Sequence, residues 1–424
     1  MITLQERVHS SPPPTGWNVN KLHRVLRVRK GFKNTGMQED NLLSLSYGRI
    51  IQKNIDAAEG LLPESFETYQ IVEPGNIVMR LTDLQNDKRS LRQGLVKERG
   101  IITSAYDALE LEKGHDPRYW AYALLALDLA KYYYSLGGGV RQSIKFSDFP
   151  NDWISTPNTD TQKAIADLLD RETARIDQLI EKKRRLVNVL KERLLSELER
   201  LTAPNEPLHS ELVPFRWVCR VTQGQVDPTA PEWADKPLIA PNHIESRTGR
   251  LIAIETAEDQ GAISGKYAFP DGTVVYSKIS PNLAKACVSP VAGMCSADMY
   301  PILPNKSLRP QFLLMQLLSA KFTDWATLES MRVAMPKINR ETLGAYRFWV
   351  PALNIQDEAI KDFFTEQEAL ERLTDKVSKS ITQMREFRAA LITAAVTGQI
   401  DVTTWGKQGQ TDGRLDEIEE AMQA

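Results

Sequence analysis

The stretch Trp153-Ile154-Ser155-Thr156-Pro157-Asn158-Thr159-Asp160-Thr161-Gln162-Lys163-Ala164-Ile165-Ala166-Asp167-Leu168-Leu169-Asp170 decides the fold. It passes from a period-two, β-type segment to a helical pattern, and Pro157 marks the boundary because the residue before a proline is pushed out of the helical region. Beyond it Ile165, Leu169, Ile176, Leu179, Leu186, Leu190, Leu194 and Leu198 recur at three-, four- and seven-residue steps, with Arg, Lys and Glu on the other faces. That is a narrow coiled-coil seam. A helix from Asp160 to Leu198 would span roughly 55 to 60 Å at about 1.5 Å per residue, so its apolar stripe needs a partner of similar length.

The partner is expected in the same chain. Arg347-Phe348-Trp349-Val350-Pro351 repeats the proline-closed β segment, and the helical opening Asp357-Glu358-Ala359-Ile360-Lys361-Asp362-Phe363 is aligned with Gln162 to Leu168 at an offset of 195. A second seam follows at Ile360, Phe363, Leu370, Leu373, Val377, Ile381, Met384, Phe387 and Leu391, and Thr397-Gly398 supplies a stop. Earlier landmarks recur in the same order: Pro74-Gly75 before Ile77-Val78-Met79 and Asp271-Gly272 before Val274-Val275-Tyr276, Ser104-Ala105 and Ser296-Ala297, Tyr119 and Phe312. The chain therefore reads as an internal duplication. Each half is a mixed α/β globule, α+β in class, followed by one long helix, and the two helices pair antiparallel. The expected segments are 1–157 and 210–351 for the globules, 158–201 and 352–398 for the helices, 202–209 for a linker and 399–424 for a C-terminal tail. Homodimerisation through either helix is the alternative, disfavoured because two seams in one chain see each other at high effective concentration.

With 424 residues, 42% of them hydrophobic, the chain can fill more than one core. No run approaches the apolar length of a membrane span, and no basic start leads into an apolar signal segment, so a cytoplasmic location is expected. Cys219, Cys287 and Cys295 form no CxxC pair, and the five histidines are scattered, so neither disulfides nor a zinc site is expected. His115 and His243 read as ordinary side chains. The net charge of −2 hides an uneven distribution: residues 1 to 158 carry 20 basic against 18 acidic side chains, 208 to 350 carry 15 against 13, and 351 to 424 carry 8 against 14. The acidic excess is thus C-terminal, and the net charge does not exclude a polyanionic partner.

The helix entry, with Leu169-Asp170-Arg171-Glu172-Thr173-Ala174-Arg175-Ile176-Asp177 and then Ile180-Glu181-Lys182-Lys183, resembles that of the specificity subunits of Type I restriction-modification systems. The resemblance runs from Pro14-Thr15-Gly16-Trp17 to Gly398. It includes Gly137-Gly138-Gly139-Val140-Arg141-Gln142-Ser143-Ile144, whose second-half counterpart, Ser330 to Ile338, keeps an arginine without the glycines. It implies two tandem target-recognition domains, each reading half of a bipartite DNA target, with the paired helices as spacer. It also implies partners: double-stranded DNA, two methyltransferase subunits that use S-adenosylmethionine on adenine, and restriction subunits that use ATP with Mg2+. No cofactor is expected on this chain. No P-loop, dinucleotide fingerprint or amino-methyltransferase motif occurs in it, so it is expected to be a non-catalytic reader.

Reading DNA takes base-edge donors and acceptors on shaped loops, with Lys and Arg on phosphates. In the first half, Lys21 to Lys33 holds six basic residues and no acidic one, and nominates Lys30, Lys33 and Asn34. The polar run after Ile77-Val78-Met79 nominates Arg80, Gln85, Asn86, Lys88, Arg89 and Arg92, and the glycine-rich segment nominates Arg141 and Gln142. In the second half the loop after Val275 nominates Ser277, Lys278, Asn282 and Lys285, the Thr222 to Asp227 turn nominates Gln223 and Gln225, and the segment before the last strand nominates Arg332 and Lys337. The rival readings are a coiled-coil scaffold with two protein-binding domains, a nuclease using Asp83 and Asp87 on magnesium, and a specificity subunit of a Type IIB-like or other phage-defence complex.

Overall fold

The computed structural model describes residues 3–9, 12–55, 63, 65–84, 91–136, 143–203, 212–331, 336–405 and 409–423. They form two compact units, Met1–Lys183 with Lys376–Ala424, and Arg184–Asp375. Both unit boundaries fall inside long helices.

In chain order the first unit holds α1 (Leu4–His9), β1 (Asn18–Lys21), β2 (Leu26–Val28), β3 (Leu43–Ser46), β4 (Arg49–Gln52), β5 (Gln70–Val72), β6 (Ile77–Met79), β7 (Gln93–Leu95), β8 (Gly100–Ile102), β9 (Asp107–Leu111), α2 (Pro117–Leu129), α3 (Tyr132–Leu136), β10 (Trp153–Thr156) and the start of α4 (Thr159–Thr202). Its main sheet has the order β2-β9-β6-β7, all antiparallel. The central strand β6 is buried at every residue, which is why three successive apolar residues are needed there. Helix α2 covers the sheet with Tyr119, Trp120, Leu124 and Leu127, and starts at Asp116, whose carboxylate accepts from the Arg118 and Tyr119 amides. The β3–β4 hairpin turns through Tyr47 and Gly48, both left-handed, as a two-residue turn of matching twist requires.

The second unit repeats this plan. It contains the rest of α4, then β11 (Leu212–Pro214), α5 (Phe215–Val218), β12 (Cys219–Val221), β13 (Gln225–Val226), α6 (Pro231–Ala234), β14 (Pro237–Ile239), β15 (Glu255–Thr256), β16 (Lys266–Phe269), β17 (Val274–Ser277), β18 (Ala286–Val288), β19 (Gly293–Cys295), β20 (Met299–Pro304), α7 (Pro310–Leu318), α8 (Ala320–Ser330), α9 (Arg340–Ala345), β21 (Arg347–Trp349) and the first part of α10 (Leu353–Val396). Its main sheet is β12-β20-β17-β18, the same order and sense as in the first unit. The second sheet, β13-β16-β19-β14-β15, corresponds to a sketchier first-unit version: β5 pairs β8, with single bridges Lys33↔Gln70 and Leu42↔Ile101 at its margins. One glycine marks the same close approach in both. A Cβ on Gly100 would lie 2.5 Å from the Asn41 carbonyl, and one on Gly293 2.5 Å from the Pro237 carbonyl. The duplication expected from the sequence is therefore a duplication of topology.

Each long helix is 44 residues. In the first unit the start of α4 lies against the end of α10, where Arg388 reaches Asp177 at 3.1 Å. In the second, Leu198 of α4 shares a core with Phe363 of α10. Two details differ from the sequence reading. The buried positions of α4 move from Ile165, Leu169 and Ile176 to Ile180 and Val187, while Leu186 is 48% exposed. A straight helix drifts against a seven-residue repeat, so the seam steps by one residue. The alignment of the two helix entries is also one residue off: the equivalent of Gln162 is Gln356, not Asp357. Both glutamines are buried, five residues after their proline. Gln162 Oε1 accepts from the Asp116 amide at 3.0 Å, and Gln356 Oε1 accepts from the Arg309 amide at 2.8 Å. Their amide nitrogens donate to Pro157 O and Pro351 O at 2.9 and 2.8 Å. Each thereby ties the N-terminus of its domain's main helix to the start of its long helix.

The C-terminal segment is itself helical, with α11 (Val402–Trp405) and α12 (Gln410–Gln423). Leu415 and Ile418 are buried, Lys183 of α4 pairs Glu419 at 2.6 Å, and Arg175 pairs Asp412. No helix of the described residues is long and apolar enough to cross a membrane.

Candidate nucleic-acid interface

The two sheets of each domain meet along a seam, and among the described residues several of the nominated side chains lie on or near it. In the first domain β2 leads through Arg29 and Lys30 to Gly31, left-handed at φ 86°, and then to Phe32 and Lys33. Phe32 O accepts from the Ile71 amide at 2.7 Å, and Lys33 bridges to Gln70, so this segment is pinned to the edge of β5. Lys30 and Lys33 are exposed, and among the described residues neither has an ion pair. Asn34 is fully buried: its side chain donates to Glu39 O at 2.8 Å and accepts from the Glu39 amide at 2.9 Å. That nominated residue shapes the turn and offers no free edge.

The basic run also differs from a uniformly positive face. Arg27 pairs Glu110 at 2.8 Å and Glu112 at 3.4 Å. Arg29 is nearly buried, donates to Ile71 O at 3.1 Å, and lies within 3.9 Å of Glu73 and 3.7 Å of Glu110. The acids that neutralise these arginines come from strands distant in sequence, and no local pattern could reveal them.

The loop after the central strand is built alike in both domains. Arg80 N donates to Arg92 O and Ser277 N to Lys285 O, closing each loop at its base. Just inside, Asp83 and Ser280 are left-handed at φ 56° and 46°, conformations that non-glycine residues adopt at some cost. Ala284 repeats this at φ 44°. Arg80 is half-buried. Arg92 is fully buried, its guanidinium donating to Thr82 O at 3.1 Å and Tyr134 Oη at 3.3 Å. Ser277 is buried and donates to Ile279 O, and Lys285 donates to Pro241 O at 2.7 Å. Arg92, Ser277 and Lys285 therefore hold the loops in shape rather than project from them. Asn282 is exposed at the loop tip, with its carbonyl accepting from Arg247 at 3.1 Å. Gln85, Asn86, Asp87, Lys88, Arg89, Arg141, Gln142 and Arg332 lie outside the described residues.

The second-domain seam carries a cluster that the sequence reading did not name. Arg340, first residue of α9, stands 5.5 Å from the ring centroids of both Tyr267 and Tyr300, and Lys278 stands 5.5 Å from Tyr300. Tyr300 donates to Ile338 O at 3.1 Å; burial raises its pKa, against the opposing charge of Arg340. Gln225 pairs with Tyr267 across β13 and β16, Gln223 is exposed beside it, and exposed Lys337 bridges to Ile279. Lys278, Gln223, Gln225 and Lys337 are thus brought to one seam, with Arg340 and Tyr267 added. Nothing near Arg340 in sequence signals this, because its ring partners lie 40 and 73 residues upstream.

Among the described residues no group of three His, Cys, Asp or Glu side chains could hold a metal ion. His115 is part of the Gln162 junction at 3.2 Å, and its pKa is lowered by burial against that contact. His243 accepts from the Ala240 amide at 3.3 Å.

No protein-family model matches the chain. Among solved structures, a chain described under "Structural basis underlying complex assembly and conformational transition of the type I R-M system" superposes with a TM-score of 0.71 at 14% identity, covering 92% of this chain and all of that one. The HsdS subunit from Thermoanaerobacter tengcongensis superposes with a TM-score of 0.50 at 14% identity, covering 92% and 99%. The class defined by this architecture is the S-subunit fold: two mixed α+β domains, each followed in the chain by one long helix. Sequence similarity points the same way. The chain is 34% identical over 165 residues to the Type I restriction enzyme EcoDI specificity subunit of Escherichia coli, a stretch that makes up 38% of this chain and 36% of that one. The resemblance to Type I specificity subunits is shown by both comparisons. The matched stretch spans about a third of the curated relative's length.

Proposed function

We propose that the chain is the DNA-specificity subunit of a Type I restriction-modification complex, with each domain reading one half of a bipartite target. The observation that carries this reading is the duplicated topology on two paired helices: two equivalent readers on a spacer suit two half-sites separated by a fixed number of base pairs. Residues 1–157 and 210–351 are the readers, 158–201 and 352–398 the spacer, 202–209 the linker, and 399–424 a segment that braces the spacer through α12. The chain contributes recognition and no chemistry. Two methyltransferase subunits supply adenine methylation from S-adenosylmethionine, and two restriction subunits supply ATP- and Mg2+-dependent cleavage, all in the cytoplasm.

Contacts are assigned by position. Lys30, Lys33, Lys278 and Lys337 hold phosphates along the two seams, where among the described residues none of them pairs with a carboxylate. Gln223, Gln225, Asn282 and the loop residues Gln85, Asn86, Lys88 and Arg89 read base edges, with Arg80, Arg141, Gln142 and Arg332 alongside. Asn34, Arg92, Ser277 and Lys285 shape these loops from within.

The test is a domain exchange. Residues 1–157 are replaced by the corresponding domain of another specificity subunit, and the methylome of a host carrying the chimaera with the cognate methyltransferase is sequenced. One half-site changes, while the other half-site and the methylated base type remain. Simultaneous change of both half-sites would overturn the reading in favour of one composite surface.

A further inference from the structure

Several large apolar side chains are exposed, among them Tyr47, Trp217 and Ile263, but an exposed aromatic ring that is also rigidly held between cations is placed as a contact surface would be. Phe32 is 46% exposed at the seam of the first domain. Its backbone is fixed on both sides, by Ile71 N donating to Phe32 O at 2.7 Å and by Asn34 N donating to Tyr69 O at 2.9 Å. Its ring is fixed from beneath, with the Arg29 guanidinium carbon 3.7 Å from the centroid. Arg29 is in turn held by Ile71 O, Glu73 and Glu110. One face of the ring is therefore occupied by a clamped cation. Lys30 and Lys33 flank it, both exposed. An apolar face between two exposed lysines that have no ion pair among the described residues is suited to DNA: the lysines take the backbone and the ring meets base edges. The apolar group that a base pair presents in the major groove is the thymine 5-methyl.

We propose that Phe32 is a specificity-determining residue of the first half-site, its outer face packing on a thymine methyl while Arg29 positions the ring from behind. This rests on the two-reader function above. The second domain does not repeat it: by strand register Lys33 corresponds to Gln225 and Gln70 to Tyr267, so the position before Gln225 is Gly224, with no ring.

The experiment compares wild type, Phe32→Ala and Phe32→Leu in complex with the methyltransferase, first by methylome and then with synthetic duplexes of the motif so defined. In the methylome, Phe32→Ala relaxes one A·T position in one half-site and leaves the other half-site intact, while Phe32→Leu, which keeps apolar bulk, retains the preference. In duplexes, replacing that thymine with uracil weakens wild-type binding about fourfold, the worth of one buried methyl, and leaves Phe32→Ala binding unchanged. Four results overturn the inference. The first is Phe32→Ala with both half-sites as in wild type, which leaves the two-reader model standing. The second is equal sensitivity of wild type and Phe32→Ala to uracil. The third is a fall in melting temperature of Phe32→Ala by more than a few degrees, which makes the ring a structural element. The fourth is a wild-type methylome without a bipartite motif, which removes the two-reader model as well.

Discussion

The two domains share a skeleton and differ in the side chains they bring to the sheet seam. In both, a four-stranded antiparallel sheet of one order is covered by a two-helix layer, and a buried glutamine ties that layer to a long helix. At the seam the first domain offers Arg29 under an exposed Phe32, while the second offers Arg340 between Tyr267 and Tyr300. Arg29 and Arg340 are not equivalent in the repeat, since one precedes β5 and the other begins α9. The contrast is a division of labour: junction positions such as Gln162 and Gln356, or Gly100 and Gly293, repeat, whereas the side chains at the seam come from different strands. Two half-sites of different sequence would require that.

The skeleton half of this comparison is open to the largest effect. Gln162→Leu and Gln356→Leu each remove a buried amide and leave backbone groups such as Pro157 O, Pro351 O and the Asp116 and Arg309 amides without partners. At about 1–3 kcal/mol for each unsatisfied buried group, either substitution should cost roughly 2–5 kcal/mol in denaturant titration. The two costs should match within about 1 kcal/mol if the junctions are equivalent devices. A large cost at one and almost none at the other would break the equivalence.

A smaller effect concerns how the β-hairpins rest on the helices. Asp177 accepts from Arg49 of the β3–β4 hairpin at 3.1 Å and pairs with Arg388 of α10 at 3.1 Å. The counterpart in the second unit is a neutral contact, Gln367 donating to Thr248 O at 2.7 Å. Because the Arg49 side chain is 72% exposed, Asp177→Ala should cost only about 1 kcal/mol, and added salt should shrink the loss. Gln367→Ala should cost a similar amount without salt dependence. Hydrogen exchange across 43–52 and 245–250 reads both. Equal salt dependence would remove the distinction between a charged and a neutral dock.

What was legible in the sequence follows the same line. The long helices, the duplication and the proline-closed strands before each helix could be read, because they depend on periodicity and on backbone stereochemistry that one residue enforces. The seam could be followed only until drift replaced Leu186 with Val187, since an idealised repeat does not say where a straight helix steps. Of the candidate contacts, Lys30, Lys33, Gln223, Gln225, Asn282 and Lys337 lie exposed as surface residues should, but Asn34, Arg92 and Ser277 are buried. Their types suit a base edge and a carbonyl-lined turn equally well, and only tertiary partners such as Thr82 O for Arg92 or Glu39 for Asn34 decide. Arg340 was missed for the converse reason: its environment is made by β16 and β20, far away in sequence. Helix α12 was hidden by its acidic composition, which conceals the buried pair Leu415 and Ile418.

The smallest expected effect is a silence, and it tests whether the two cores are separate. Cys219, Cys287 and Cys295 are all buried and all belong to the second unit. Burial pushes the Cys219 and Cys287 thiols up to about 12, and raises Cys295 as well. The thiolate is the reactive form, so a thiol titrating near 12 is only about one part in ten thousand thiolate at pH 8, before steric exclusion is counted. Raising pH toward 12 favours the thiolate, so native-state labelling should stay negligible from pH 7 to 9 and grow only as the second unit opens. Labelling by an aromatic disulfide reagent at pH 8 therefore reports unfolding of the second domain alone. Gln356→Leu should accelerate it by the factor its stability loss implies, roughly tenfold per 1.4 kcal/mol when opening is a pre-equilibrium. Gln162→Leu, which damages the first domain by a comparable amount, should leave the labelling rate within about twofold of wild type, because its lost bonds lie in the other core. If Gln162→Leu accelerates labelling as strongly as Gln356→Leu, the two domains unfold as one cooperative body, and independent exchange of half-site readers would lose its physical basis.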